Sequence, residues 1–214
     1  PGFNYFTVFD TKESILAPGI TQTVKTARTA DNKQIIYYIA TVDVNRSDVS
    51  VHANYTNNDP SKGWAMSKVV SQMAAAQERH SHIENYNTIV GVNADFFNMS
   101  NGKPSGALVM EGVTYNPGSG SNFFGILDDG TPIIGAPSDW ATYADRLVEA
   151  VGGSQFLVKD GKTVVAYAPN YNLNRASRTC VGITADDQVV MMVLDGRQEP
   201  RSAGGSMQEL AQIM

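Results

Sequence analysis

With 214 residues, of which 42% are hydrophobic and 17% charged, the chain has a globular composition and enough length to bury a substantial core. A formal net charge of −5, a pI near 5.1 and the lack of any Lys/Arg cluster exclude the basic footprint of a nucleic-acid binder. No apolar run approaches the length of a membrane span, and no signal peptide is visible behind the opening PGFNYF, which reads as the boundary of a processed chain.

Taken in chain order, QIIYYIATVDV (Gln34–Val44) is rich in β-branched and aromatic residues, and DVSVHANY (Asp48–Tyr55) alternates with period two. Both predict strands. Ser61–His80 places Met66, Val69, Val70, Met73, Ala74 and Gln77 on a near-helical stripe and predicts a helix. TIVGVNADFF (Thr88–Phe97) starts as the continuous apolar run of a strand covered on both faces, then meets Asn93 and Asp95. Equal parity on a strand directs those two to one face, although an Asx-type turn also accounts for Asp95. Phe96 and Phe97 are expected in the core. Strand pairs around tight turns follow in LVMEGVTY, GILDDGTPIIG, FLVKDGKTVV and GITADDQVVMMVLDG. Asp129-Gly130 and Asp160-Gly161 are the type I′ signals. Between them DWATYADRLVEAVGG (Asp139–Gly153) reads as a helix ended by glycines. SMQELAQIM starts a last helix, with Ser206 and Glu209 as a capping box. The expectation is one α+β domain over residues 1–214, with a mixed, largely antiparallel sheet, hairpins and a few packed helices.

The lone cysteine, Cys180, excludes an intrachain disulfide and is expected as a buried thiol. His52, His80 and His82 have no metal-ligand spacing, and His80 and His82 are expected to be solvated. No cofactor is expected.

Three polar clusters carry the chemistry. Asn93 and Asp95 form the first. Arg178 and Thr179 enter a strand in SRTCVGI. Asp195, Arg197, Glu199 and Arg201 precede Gly204, Gly205 and Ser206 at the last helix. Glycines before a helix start offer amides to an anion, and guanidinium groups suit bidentate phosphate contact. Asp95, Asp195 and Glu209 are the carboxylates available as acid, base or nucleophile. Spacing alone leaves open the simpler readings, with Glu209 only closing its capping box, Asp195-Gly196 a turn and Arg178 a surface residue.

In order, NADFF, then Gly106 with LVMEGV, then GGSQFLVKDGK, SRTCVGI and DGRQEPRSAGGSMQELA resemble the phosphodiester glycosidase family. This is the catalytic-domain family of the mannose-6-phosphate uncovering enzyme and of bacterial secreted and cell-surface relatives. Ala94-Asp95 stands where Gly-Gly is common, and Ser177 and Cys180 also depart from the pattern. The resemblance spans about the last 130 residues. It implies hydrolysis of a sugar 1-phosphodiester of the N-acetylglucosamine-α-1-phospho type. Asp195, Asp95 and Glu209 would be the catalytic carboxylates. Asn93, Arg178, Thr179, Arg197, Arg201, Gly204, Gly205 and Ser206 would hold substrate and phosphate. It further implies a secreted or cell-surface bacterial setting. Family members continue into an Asp- and Gly-rich segment, so the domain is expected to lack that segment or to receive it from a second polypeptide fragment. The competing expectation is a non-catalytic module binding cell-wall glycan or a phosphate-bearing polymer.

Overall fold

A computed structural model describes residues 5–56, 59–165 and 174–214. The chain is α+β and forms two compact units, each discontinuous in sequence: residues 1–42, 155–184 and 189–214, and residues 43–154 and 185–188.

The first unit is built on an antiparallel sheet ordered β1-β2-β3-β12-β11. Its strands are β1 (Phe6–Ala17), β2 (Ile20–Thr29), β3 (Gln34–Val42), β11 (Arg178–Ile183) and β12 (Val189–Leu194). Alternation along β3 buries Ile35 and Tyr37 on one face and Ala40 and Val42 on the other. Ile35 and Tyr37 join Ala27, Met192 and Leu194 in one cluster. The C-terminal helix α3 (Met207–Ile213) covers this cluster with Met207 and Leu210, three apart on one helical face. The expected capping box forms: Ser206 Oγ accepts the Glu209 N–H at 3.2 Å, and Glu209 Oε2 accepts the Ser206 N–H at 2.9 Å. The small hairpin β9 (Val158–Lys159)/β10 (Lys162–Thr163) turns through Asp160 and Gly161, at φ 51° and 70°, as a type I′ turn requires.

The second unit carries an antiparallel sheet ordered β5-β4-β8-β6-β7. These strands are β4 (Leu108–Met110), β5 (Val113–Asn116), β6 (Asn122–Leu127), β7 (Pro132–Gly135) and β8 (Leu147–Gly153). Strand β4 is buried on both faces. Val109 packs with Phe123, Leu147, Ala150 and Trp140, while Leu108 and Met110 pack with Tyr55. At the β6–β7 turn only Gly130 has positive φ, so Asp129-Gly130 is not the expected type I′ pair. Asp129 instead accepts the Thr131 N–H at 3.0 Å through its side chain.

Several elements differ from expectation. The helix expected over Ser61–His80 is α1, Val69–Arg79, preceded by a 3₁₀ turn at Pro60–Lys62; Met66 lies outside it and is exposed. The helix expected over Asp139–Gly153 is a single turn, α2 (Trp140–Tyr143), and Leu147–Gly153 is a strand between β4 and β6. Gly152, read as part of a helix stop, instead admits a close strand approach: a Cβ on it would stand 2.8 Å from Gly106 Cα. Neither Asp48–Tyr55 nor Thr88–Phe97 forms a strand. Phe96 and Phe97 are exposed by 62% and 44%, not part of the core. His80 is partly buried rather than solvated: Nδ1 lies 2.8 Å from Ala76 O and the ring stacks on Tyr86.

Candidate active site

The segment after β12 is tied back onto the start of β3. Asp195 donates its N–H to Ile36 O at 3.0 Å, and Ala203 donates to Gln34 O at 2.9 Å. Ser202, fully buried, accepts the Ile36 N–H at 3.0 Å and donates its hydroxyl to Asp195 O at 2.7 Å. Between these anchors Gln198 and Ser202 exchange backbone hydrogen bonds of 2.9 and 3.0 Å, closing a tight excursion that contains Glu199 and Arg201, with Arg197 at its foot donating its N–H to Ala203 O at 3.3 Å.

Within it, Arg201 reaches the Asp195 carboxylate at 3.2 Å, Tyr38 Oη at 3.1 Å and Gln198 Oε1 at 3.1 Å. Glu199 is turned away to Lys33 at 2.8 Å. Arg197 holds a left-handed backbone at φ 59°, and its exposed guanidinium has no hydrogen bond or ion pair among the described residues. Residues other than glycine, asparagine and aspartate seldom adopt this conformation.

The second and third clusters meet. Ala176, just before β11, exchanges hydrogen bonds with Gly205 at 3.3 and 3.0 Å. A Cβ on Gly196 would stand 2.3 Å from Ser177 N, and one on Gly204 2.7 Å from Ala176 O. The glycines around Asp195 and before α3 therefore admit a crossing backbone. The amides of Gly205, Ser206 and Glu209 all have acceptors, so none of the three is open to an anion. Arg178 donates to Asn174 O at 3.0 Å and to Gly205 O at 3.4 Å. Thr179 sits in β11 opposite Val193.

Glu209 is 4% exposed and is held by a residue that spacing did not single out. Arg175 donates to both its oxygens at 2.8 and 2.9 Å, and also to Gly204 O at 2.9 Å and Asp31 at 2.6 Å. Burial works to lower the Arg175 pKa, but the hydrogen bonds and charges of Glu209 and Asp31 outweigh it and raise it. Burial likewise pushes Asp31 up, and its bonds from Thr29 and Arg175 bring it below the ordinary carboxylate range. The one available sequence signal was the R-x-x-R spacing of Arg175 and Arg178. Cys180, in β11, is pushed up to about 12 by burial and is no nucleophile at neutral pH.

The first cluster lies in the second unit. Asn93 is exposed on a segment without regular secondary structure. Asp95 is half-buried at φ 58°, so the strand parity expected to align it with Asn93 is broken. Its carboxylate accepts the Phe96 N–H at 2.7 Å and the Gly106 N–H. Burial raises its pKa, and those amide bonds only partly oppose the shift. Gly152 and Gly106 leave room for this carboxylate: their Cβ atoms would stand 2.6 and 3.1 Å from Asp95 Oδ2.

A family model described as NAGPA, phosphodiester glycosidase, matches residues 86–214. The chain belongs to the phosphodiester glycosidase family. The catalytic domain of zebrafish N-acetylglucosamine-1-phosphodiester alpha-N-acetylglucosaminidase, auto-inhibited by pro-peptide, superposes with a TM-score of 0.68 at 14% identity, covering 99% of this chain and 72% of that one. A hypothetical protein from Synechocystis superposes with a TM-score of 0.67 at 12% identity, covering 95% of this chain and 55% of its own. At these identities the likeness is one of fold. No curated protein sequence matches the chain. No helix among the described residues is long and apolar enough to cross a membrane.

Proposed function

We propose that this phosphodiester glycosidase hydrolyses a sugar 1-phosphodiester of the N-acetylglucosamine-α-1-phospho type, at a bacterial surface or in a secreted setting, releasing the sugar and a phosphomonoester. The observation that carries the reading is Arg197. A guanidinium in a family motif is held on a left-handed backbone and has no internal partner among the described residues. It is suited to bind the departing phosphate, and neutralising that charge lowers the barrier to C–O cleavage. Asp195, oriented by Arg201 at 3.2 Å, is assigned to activate water or to stabilise the oxocarbenium-like sugar. Arg178, Thr179 and the Gly204–Ser206 segment are assigned to shaping the phosphate site, with Glu209 a positioning residue acting through Arg175. Asp95, whose carboxylate burial pushes upward in pKa, is a carboxylate to test separately by substitution.

A second reading, a module that binds glycan or phosphate polymer without turnover, draws support from the exposure of Phe96 and Phe97, since aromatic faces suit sugar rings. The test is release of free sugar and phosphomonoester from an N-acetylglucosamine-α-1-phosphomannoside, followed by chromatography and ³¹P NMR on the full protein that carries this chain. Asp195→Ala should lower kcat by ~100-fold or more, and Arg197→Ala should act mainly on KM. Saturable binding without product would support the binding module, and unchanged turnover in both Asp195→Ala and Asp95→Ala would remove the carboxylate assignment.

A further inference from the structure

In the second unit, Ser50, His52 and Glu149 form a constellation that the phosphodiester glycosidase reading does not use. Ser50 Oγ lies 2.8 Å from His52 Nε2, and His52 Nδ1 lies 3.0 Å from Glu149 Oε1. The Glu149 side chain is 7% exposed, on a strand at the centre of its sheet. Its second oxygen accepts the Ala53 N–H at 3.0 Å, and the first also accepts the Glu111 N–H at 3.4 Å. Two backbone amides thus fix the carboxylate against the imidazole. An ionised carboxylate accepts only, so it selects the tautomer with the proton on Nδ1. Nε2 then offers its lone pair to the Ser50 hydroxyl. A nucleophile, a base and a group that orients the base stand in hydrogen-bonded sequence. Ser50 is exposed and open to a substrate. The N–H of Val51, the residue after the nucleophile, makes no hydrogen bond among the described residues. In nucleophile-elbow hydrolases that position supplies an oxyanion donor.

The geometry points to a second hydrolytic centre that cleaves a short-chain carboxylic ester, with Ser50 as nucleophile, His52 as general base and Glu149 as positioning residue. Ser50 Oγ bonds to the ester carbonyl carbon as its proton passes to His52 Nε2. The tetrahedral centre collapses, the ester C–O bond breaks, and His52 returns the proton to the departing alkoxide. Water then attacks acyl-Ser50 with His52 taking its proton. The carboxylic acid leaves, and that proton goes back to Ser50 Oγ.

The experiment uses p-nitrophenyl acetate for turnover and a fluorophosphonate for covalent capture, with the modified residue located by peptide mass spectrometry. Expected are phosphonylation of Ser50 alone, a loss of ~100-fold or more in esterase kcat in Ser50→Ala, and unchanged melting and phosphodiester turnover in that variant. Glu149→Gln should lower kcat more than it changes KM and shift the pH midpoint of the esterase rate downward. The groups facing His52 are Glu149, Glu111, Arg79 and His80, and Glu149 is the main one favouring its charged form. Glu149 is buried, so Ser50→Ala carries the decision should Glu149→Gln fold poorly. No phosphonylation of Ser50 would overturn the proposal. So would an esterase rate in Ser50→Ala equal to the unsubstituted protein's, which would mark simple surface imidazole chemistry.

Discussion

Replacing Arg175 by alanine strands a buried carboxylate. Glu209 and Arg175 have side-chain exposures of 5% and 22%, and the guanidinium meets both carboxylate oxygens, at 2.8 and 2.9 Å. Removing one partner of a buried pair costs about 3–5 kcal/mol, because the other charge stays out of water. Two features place this case near the low end. Glu209 keeps the Ser206 N–H at 2.9 Å, and Arg175 retains part of its hydration. The contact with Asp31, whose side chain is 56% exposed, adds little. The expected loss is about 3 kcal/mol, or a fall in Tm of about 6–12 °C for a chain of this size. Urea and thermal unfolding measure it. Glu209→Gln keeps an acceptor for Ser206 but removes the charge, so the Arg175→Ala/Glu209→Gln double variant should recover much of the loss. A loss below about 1 kcal/mol in Arg175→Ala, or a double variant worse than the sum of the singles, would refute the stranded-charge argument.

Gly152→Ala should cost about 1–3 kcal/mol, because its Cβ would stand 2.6 Å from Asp95 Oδ2 and 2.8 Å from Gly106 Cα. Gly120→Ala, with nothing within 4 Å of its Cβ, is the control; equal urea midpoints for the two variants would dismiss the close-packing account. The His52 pKa is raised above its ordinary 6.5, first by the hydrogen bond to Glu149, against burial and Arg79 and with help from Glu111. A raised histidine stabilises the fold fully below about 6.5, and that contribution disappears as pH climbs through the raised value. The stability difference between the unsubstituted protein and Glu149→Gln should therefore shrink from pH 6 to pH 9; a constant difference, or an NMR titration of His52 at or below its ordinary pKa, would contradict the pairing.

Local signals in the sequence were legible and distant ones were not. The Ser206/Glu209 cap and the Asp160-Gly161 turn each close within four residues, so spacing contains their physics. Leu147–Gly153 was misread because an apolar run after a helical turn, ending in glycines, matches a helix stop as well as a central strand. What decides it is pairing with β4 and β6, which lie elsewhere in the chain. Phe96 and Phe97 follow an apolar run, yet Asp95 turns the chain at φ 58° and both rings emerge exposed. Arg175 was missed for a related reason. Its partner Glu209 is 34 positions away, and only the crossing of Ala176 over Gly205 brings them together.

Ala94-Asp95, the pair that departs from the common Gly-Gly, follows from the same physics. Position 95 needs a left-handed backbone, φ 58°, which glycine adopts without strain. Aspartate is among the few other residues that tolerate it, because its short side chain can bond locally, here to the Phe96 N–H at 2.7 Å. The second carboxylate oxygen reaches the Gly106 N–H and fits between Gly106 and Gly152, where neither residue presents a Cβ. The aspartate thus keeps the backbone path a glycine would allow and ties the two ends of the Phe96–Ser105 loop together. Loop closure and a buried acid come from one side chain. The same burial raises the Asp95 pKa, and the backbone amides that bond its carboxylate counter the shift only in part.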